Sequence, residues 1–370
     1  MKKIFFKFII IYLLYFYQCN VVGLCSSNTI DKPAKFPSLN SCLDIKKTLY
    51  FCGEKVPIDE HDVKERLEKE ILITVSNRTQ VILWLKRSNR YFPFIKKMLK
   101  KHNMPQDLIY IPIIESALRP HAGSSKGAIG FWQFMKSTGL KYDLIINTDI
   151  DERRNIFSST NAAIKYFKEL HDIFGSWTLA AAAYNMGEEG LEAEMLAQKQ
   201  DNYYKLYLSL ETQRYIFKAI SAKLVLSSPE KYGFNLKKKD LYEPLKFERL
   251  RLMCNQETPI WIIAQSAKTY FKIIKDLNPE IRGHYFAKGM HSFLVPKGSS
   301  AGFHKRYFKI LKQYLSKSHE TIYVVQKGDS LSSIARRFDV PLPAILIWNK
   351  LSLRKHIHPG DRLIIHKTGK

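Results

Sequence analysis

Apolar residues recur at helical spacing through most of the chain. Between Asp59 and Lys101, Val63, Leu67 and Ile71, then Val81 and Leu85, fall on helix faces. Asn77-Arg78 supplies an N-cap-like start for the second of these helices. Further helices are predicted over Asn161–Phe174, over Trp177–Tyr184 and over Glu211–Leu226. The second of these is rich in alanine, which permits close packing, and Gly187 can close it. Gly123–Gly130 is the one flexible excursion, of a length that suits a β-hairpin. Residues 24–55, mixed in composition and holding Pro33 and Pro37, read as an extended leader. Lys237-Lys238-Lys239-Asp240 reads as a solvated boundary loop. From Tyr323 the pattern changes to an alternating strand, two short helices and another alternating strand. The predicted fold is mainly α, with small α/β units toward the C-terminus.

The candidate chemistry lies where the pattern is most apolar. Glu115 closes the run Ile109-Tyr110-Ile111-Pro112-Ile113-Ile114, and Ser116 follows it. A carboxyl group against that much hydrocarbon resists ionisation, and a carboxylic acid still protonated near neutrality is what a general acid requires. Nearby stand Gly127-Ala128-Ile129-Gly130-Phe131-Trp132-Gln133 and, later, Ala183-Tyr184-Asn185-Met186-Gly187. Aromatic faces, amides and glycines are the groups that hold sugars. Taken alone, a glutamate at a helix end is more often a solvated terminus or an ion-pair partner. Trp132 and Phe131 alone would read as core aromatics. Ordinary glycosidases place two carboxylates about the scissile bond, yet Glu115 to Gln133 holds no second one. Asp143, Asp149, Asp151 and Glu152 follow in a charged segment that reads as solvated loop.

Together with Glu211-Thr212-Gln213-Arg214-Tyr215, these motifs stand in the order and spacing of a known family. From about Val75 to Leu226 the chain resembles the soluble-lytic-transglycosylase domain, in the form found in membrane-bound lytic murein transglycosylases of the D type. The resemblance implies a lysozyme-like helical domain that cleaves the β-1,4 bond between N-acetylmuramic acid and N-acetylglucosamine in peptidoglycan. It implies cleavage without water, leaving 1,6-anhydromuramic ends, with Glu115 as acid and then base. It further implies that Gln133, Tyr184, Asn185 and Tyr215 line the groove and that Ser116 orients the sugar or the acid. One acid acting twice suits closure by a hydroxyl already tethered beside the reacting carbon. A hydrolytic muramidase of the goose-lysozyme kind would carry a similar pattern, and a non-catalytic wall-binding protein is a third reading. Arg119-Pro120-His121-Ala122 departs from the family, where Asp often precedes the Pro-x-Ala element.

The segment from Tyr323 to Ile365 resembles a LysM module: Gly328-Asp329-Ser330-Leu331, Ile334-Ala335, Trp348-Asn349 and Pro359-Gly360-Asp361-Arg362-Leu363. The resemblance implies a β-α-α-β fold that binds N-acetylglucosamine-containing glycans, with Gly328, Asp329, Ser330, Leu331 and Asn349 as its glycan-binding residues. A gap-free shift back along the chain aligns Leu331 with Ile260, Ile334 with Ile263 and Ala335 with Ala264. The same shift aligns Ile345 with Ile274, Asn349 with Asn278 and Gly360 with Gly289. About Phe247 to Pro296 is therefore expected to be a degenerate LysM-like unit, which has Glu257-Thr258 in place of the Gly-Asp turn. Packing or spacing suits it at least as well as binding. Phe303–Lys317 between the units reads as a basic amphipathic linker helix.

Composition adds a setting. Lys2, Lys3 and Lys7 precede an apolar stretch from Ile9 to Phe16, then small and polar residues around Cys25, as in an export signal. The stretch is too short for a membrane span. Cys19 or Cys25 would be the acceptor of a lipid anchor, although Gln18 and Leu24 stand where a small residue is expected. The formal net charge of +25 comes without a nucleic-acid-binding motif. It suits the anionic surfaces of peptidoglycan and outer membrane, or reflects an AT-rich genome. Peptidoglycan glycan strands are the expected partner, with membrane-surface association and no nucleic acid. The expected location is the periplasm or cell envelope. Cys42 and Cys52 are near enough in sequence to pair in an oxidising compartment. His102, His121 and His171 share no ligand spacing and there is no phosphate-binding loop, so neither metal nor cofactor is expected. The expected organisation is an export signal (1–25), a leader (26–58), a lysozyme-like domain with bracing helices (59–235), a degenerate LysM-like unit (244–298), a linker helix (299–320) and a LysM module (321–367).

Overall fold

A computed structural model describes residues 36–45, 48–317 and 320–366 of the chain. The export-signal and lipid-anchor expectations, with Cys19 and Cys25, lie outside the described residues. The fold is mainly helical, with small two-stranded sheets.

Where an extended leader was expected, β1 (Leu49–Phe51) and β2 (Glu54–Val56) form an antiparallel hairpin. Phe51 and Val56 are fully buried, and Cys52 and Gly53 turn the chain with φ of 53° and 87°. The short alternation of Leu49, Phe51 and Val56 overrides the mixed composition around it. Next come α1 (His61–Ser76), α2 (Arg78–Lys101), α3 (Ile111–Ser116) and α4 (Lys136–Lys141). After them run α5 (Ile156–Phe174), α6 (Trp177–Met186), α7 (Glu188–Gln198) and α8 (Leu210–Ser227). Val63, Leu67, Ile71 and Val75 form the buried stripe of α1 and pack against α8. An ion pair from buried Glu70 to the partly exposed Arg214, 2.5 Å long, joins the same two helices. The Asn77 side chain caps α2 by accepting from Gln80 N. Helix α5 begins at Ile156 rather than Asn161 because Asn155 Oδ1 accepts from Phe157 N and Ser158 N.

Helix α6 is the innermost: Ala180, Ala181, Ala182 and Ala183 have no exposed surface. Its first turn receives the carboxylate of Glu54 from the hairpin, which accepts from Trp177 N at 2.5 Å and Thr178 N at 3.0 Å. An anion at a helix N-terminus meets free N–H groups and the favourable end of the dipole. The hairpin is thus bound into the helical domain. Cys42, Cys52 and Cys254 are free thiols, all buried, so the pairing of Cys42 with Cys52 is not made.

The second unit consists of β3 (Phe247–Cys254), β4 (Thr258–Pro259), α9 (Ile260–Ser266), α10 (Phe271–Leu277), β5 (Tyr285–Phe286) and β6 (Gly289–Pro296). β3 and β6 pair antiparallel from Phe247↔Pro296 to Cys254↔Gly289. α11 (Phe303–Lys317) is not a free linker. Phe303 and Tyr307 are buried in this unit's core, and Ile310, Leu311 and Tyr314 pack on it. The apolar stripe that made the helix look amphipathic is the seam of that contact. The C-terminal module repeats the strand-helix-helix-strand order in β7 (Glu320–Val324), α12 (Leu331–Arg337), α13 (Leu342–Trp348) and β8 (Arg362–His366).

An identical device closes both units. Asn278 Nδ2 donates to Ile274 O and Leu294 O, and its Oδ1 accepts from Leu294 N at 2.7 Å. Asn349 Nδ2 donates to Ile345 O and Ile364 O, and its Oδ1 accepts from Ile364 N at 2.7 Å. Because Asn278 meets Leu294 while Asn349 meets Ile364, the last strands stand one residue out of step with the gap-free shift. Burial agrees: Phe293 and Val295 face the core as Leu363 and Ile365 do.

The segment of Asp149 to Glu152 in the helical domain also differs from expectation. It is pinned between units, with Ile150 bridged to Ile281, Asp151 N donating to Glu280 O, and Arg282 N donating to Asp149 O, both at 2.8 Å. Asp151 is 1% exposed and paired with Arg153. Its negative charge is neutralised there, which is why a sequence of charges need not be a solvated loop. Among the described residues no helix is long and apolar enough to cross a membrane.

Asn278 is fully buried, so Asn278→Leu strands the N–H and carbonyl of Leu294 without partners, while Ile274 O keeps the backbone N–H of residue 278. We expect a loss of about 2–3 kcal/mol, read as a lower urea midpoint of the full chain.

Candidate active site

Helix α3 is one and a half turns of apolar residues that ends where Ala117 and Leu118 turn left-handed, with φ of 53° and 57°. The turn stops the helix directly after Glu115 and Ser116. Ile109, Ile111 and Ile113, each 1% exposed or less, fix the helix in the core. Glu115 is left half-buried at the rim, with Tyr215 of α8 behind it. The Tyr215 hydroxyl donates to Glu115 Oε1 at 2.5 Å.

Burial is the main influence on this carboxyl and pushes its pKa up to about 7. The charge of Glu211 adds to the rise, while the Tyr215 hydrogen bond and Lys218 pull against it. Near neutrality the group therefore exchanges a proton readily in either direction. Burial and the adjacent Glu115 hold the Tyr215 phenol well above its ordinary range, so it remains a donor.

Glu115 opens onto a groove of about 550 Å³ that Gln133, Tyr184 and Asn185 also line. Tyr184 stacks on Phe167 with ring centroids 4.5 Å apart and planes 5° from parallel. Its hydroxyl donates to Trp132 O at 2.7 Å, joining α6 to the loop of residues 123–135. Asn185 Oδ1 accepts from the Thr212 hydroxyl at 2.9 Å, joining α6 to α8. Gln133 has a left-handed backbone, φ 50°, and its amide nitrogen donates to Gly130 O at 2.8 Å and Ala122 O at 3.2 Å. The loop itself is bridged at Gly123↔Ile129 and Ile129↔Phe134. A Cβ on Gly130, where φ is 88°, would sit 1.8 Å from Arg153 O, so only glycine fits.

Two expected residues stand elsewhere. Ser116 is 2% exposed and turned away from the groove: its hydroxyl lies 2.7 Å from Phe131 O and 3.0 Å from Pro112 O. It ties the loop to α3 and is not placed to touch a sugar. Tyr215 lies behind Glu115 and not on the groove wall. Conversely, the fold brings in carboxylates that reading along the chain missed. Glu188 and Glu211 line the groove. Glu188 accepts from the Tyr166 hydroxyl at 2.7 Å, and Glu211 is exposed at the rim. Glu211 had a signal, since it precedes Tyr215 by one helical turn and so shares its face.

In the C-terminal module the expected binding residues serve its own framework. Gly328 turns at φ 89°. Asp329 Oδ2 accepts from Tyr323 Oη at 2.5 Å and Gln326 N at 2.8 Å. Ser330 caps α12 through Ser333 N, Leu331 packs on the module's core, and Asn349 ties α13 to β8. Among the described residues no cluster of His, Cys, Asp or Glu is arranged to hold a metal.

Residues 92–207 match the Transglycosylase SLT domain, and residues 323–366 match the LysM domain. Glu115 lies inside the first match, and Glu211 and Tyr215 lie just beyond it. The chain is 30% identical over 331 residues to membrane-bound lytic murein transglycosylase D of Escherichia coli strain K12, spanning 85% of this chain and 72% of that protein. The protein of the same name from Escherichia coli O6:H1 matches equally. Among solved structures, the 70 kDa soluble lytic transglycosylase of Escherichia coli is similar at 16% identity and a TM-score of 0.34, over 50% of this chain and 34% of that one.

The opposing influences on Glu115 can be separated by titrating its carboxyl carbon by NMR in the free protein. Tyr215→Phe removes a bond to the ionised form and should move the midpoint above that of the wild type. Glu211→Gln removes a like charge and should move it below.

Proposed function

Because this chain belongs to the membrane-bound lytic murein transglycosylase D family, we propose that it cleaves the β-1,4 bond between N-acetylmuramic acid and N-acetylglucosamine and leaves 1,6-anhydromuramic ends. It is a lytic transglycosylase, an enzyme of peptidoglycan. What carries the finer reading is Glu115: half-buried at a groove, held by Tyr215, with a pKa of about 7.

In its protonated form Glu115 donates to the glycosidic oxygen as the bond from that oxygen to muramic C1 breaks. The leaving sugar departs with the proton, and positive charge develops at C1. Glu115, now a carboxylate, accepts the proton of the muramic C6 hydroxyl as that oxygen bonds to C1. The acid is regenerated and no water is consumed. Tyr215 steadies the carboxylate between the two steps, since its hydroxyl bonds the charged form more strongly than the neutral one. Gln133, Tyr184 and Asn185 hold the sugars, and Lys126, also on the groove wall, faces an anionic polymer. The unit of residues 321–367 keeps the enzyme on its insoluble substrate by raising local concentration, and export to the cell envelope brings the two together.

Glu188 and Glu211 on the groove wall favour one competing reading, hydrolysis, in which a second carboxylate activates water. Glu188 is engaged by Tyr166 and lies 3.7 Å from Lys141, which suits a structural role better than that of a free base.

Digestion of purified peptidoglycan, followed by mass spectrometry of the soluble fragments, distinguishes the products. Anhydro ends, lighter by one water, are expected; reducing ends would establish hydrolysis instead. Glu115→Gln should lower the rate by about 10²–10⁴-fold. In the wild type kcat/KM should fall as pH rises through about 7, because the first step needs the protonated acid.

A further inference from the structure

We propose that Arg153 is a positioning residue for the groove loop of residues 123–135, and that the second unit, through Asn278–Arg282, is the brace that holds Arg153 in place. The inference rests on the groove being the glycan site.

Arg153 is 5% exposed and all of its bonds run inward. Its Nε and Nη2 donate to the two oxygens of Asp151, both at 2.9 Å. Its Nη1 donates to Gly127 O and Phe134 O, both at 3.2 Å, reaching the turn between Gly123 and Ile129 and the last bridged residue of the loop. Its own carbonyl fills the space that a side chain at Gly130 would need. The guanidinium thus fixes the strip that carries Gln133. A planar fork with five donors suits this task, and a lysine cannot reproduce it.

Asp151 and Arg153 are in turn anchored outside the catalytic helices. Asp151 N donates to Glu280 O, Arg282 N donates to Asp149 O, and Ile150 is bridged to Ile281. These partners all belong to the segment that follows α10. The C-terminal module supplies a comparison, because Asn278 and Asn349 are equivalent. By that equivalence Ile281 corresponds to Ser352 and Arg282 to Leu353. Ile281 is 5% exposed, whereas Ser352 is at the surface. The same position that is open in one unit is a packing face in the other. The second unit has therefore been turned from a free module into a wall of the active-site domain.

The test compares full-length Arg153→Lys, Ile281→Ser and Ile281→Val with the wild type. Ile281→Ser installs the residue that the C-terminal module carries there, and Ile281→Val keeps the apolar contact. Two measurements are made: amide hydrogen exchange at Ile129 and Gly130, and kcat and KM on soluble glycan fragments. We expect faster exchange in Arg153→Lys and Ile281→Ser, and a KM raised about tenfold with a smaller fall in kcat. Ile281→Val should behave as the wild type. Unchanged KM, with kcat falling only in proportion to the folded fraction, overturns the positioning role. Unchanged loop exchange in Ile281→Ser overturns the brace. If Arg153→Lys does not fold, Ile281→Ser decides alone. If the wild type releases no anhydro fragments the proposed function fails, while the exchange data still decide the brace.

Discussion

A carboxyl group that works near neutrality has to be dry on one side and open on the other. Here the bond between Tyr215 and Glu115 sits on that boundary, and much of the helical domain exists to hold its two ends. Helix α8 brings Tyr215, and α1, α3 and α6 pack around α8. The apolar residues of α3 keep water from one face of Glu115. There is a cost to this arrangement. A carboxyl whose folded pKa is raised to about 7 penalises the folded state progressively as pH climbs from the unfolded value through that point. The ion pair of buried Glu70 with Arg214, next to Tyr215 on α8, helps fasten the helix that bears this penalty.

The helical frame could be read from the sequence because its signals are local. A stripe such as Val63, Leu67 and Ile71 needs only its own spacing, and Asn77 is a cap by chemistry; Asn155 is one too, but it was missed and its helix was expected to start at Asn161. Glu115 was conspicuous for the same reason, as an acid ending an apolar run. Which way a residue faces at a helix end is another matter. Ser116 shares the buried face of Pro112 and Ile113 in α3, so its hydroxyl turns inward, and a motif read as a string does not show that face. Glu188 and Glu211 are distant from Glu115 along the chain, and only the fold makes them neighbours. Helix α11 looked free because an amphipathic stripe does not say what covers it. The offset in β6 escaped a gap-free alignment because a slip of one residue is nearly invisible in a strand of mostly apolar residues, although it exchanges the faces.

The two small units show how far one fold can diverge while keeping its closure. Asn278 and Asn349 make the same three hydrogen bonds, so the backbone of the helix-to-strand return is preserved. The surfaces around that return have gone separate ways. One is buried against the catalytic domain and against α11. The other meets the second unit through Lys350 and Glu257, an exposed ion pair 2.5 Å long, which contributes little binding energy on its own.

Glu54 carries a consequence for where this enzyme begins. The match to the Transglycosylase SLT domain starts at residue 92, yet the first turn of the helix bearing Tyr184 and Asn185 is capped by a carboxylate from the hairpin. A protein trimmed to that domain boundary would lose that anion along with α1, leaving the N–H groups of Trp177 and Thr178 without it. Its groove wall would then be fastened at one end only. The working unit is longer at its N-terminal side than the recurring domain within it, and grafting or minimising this enzyme has to start upstream of Leu49.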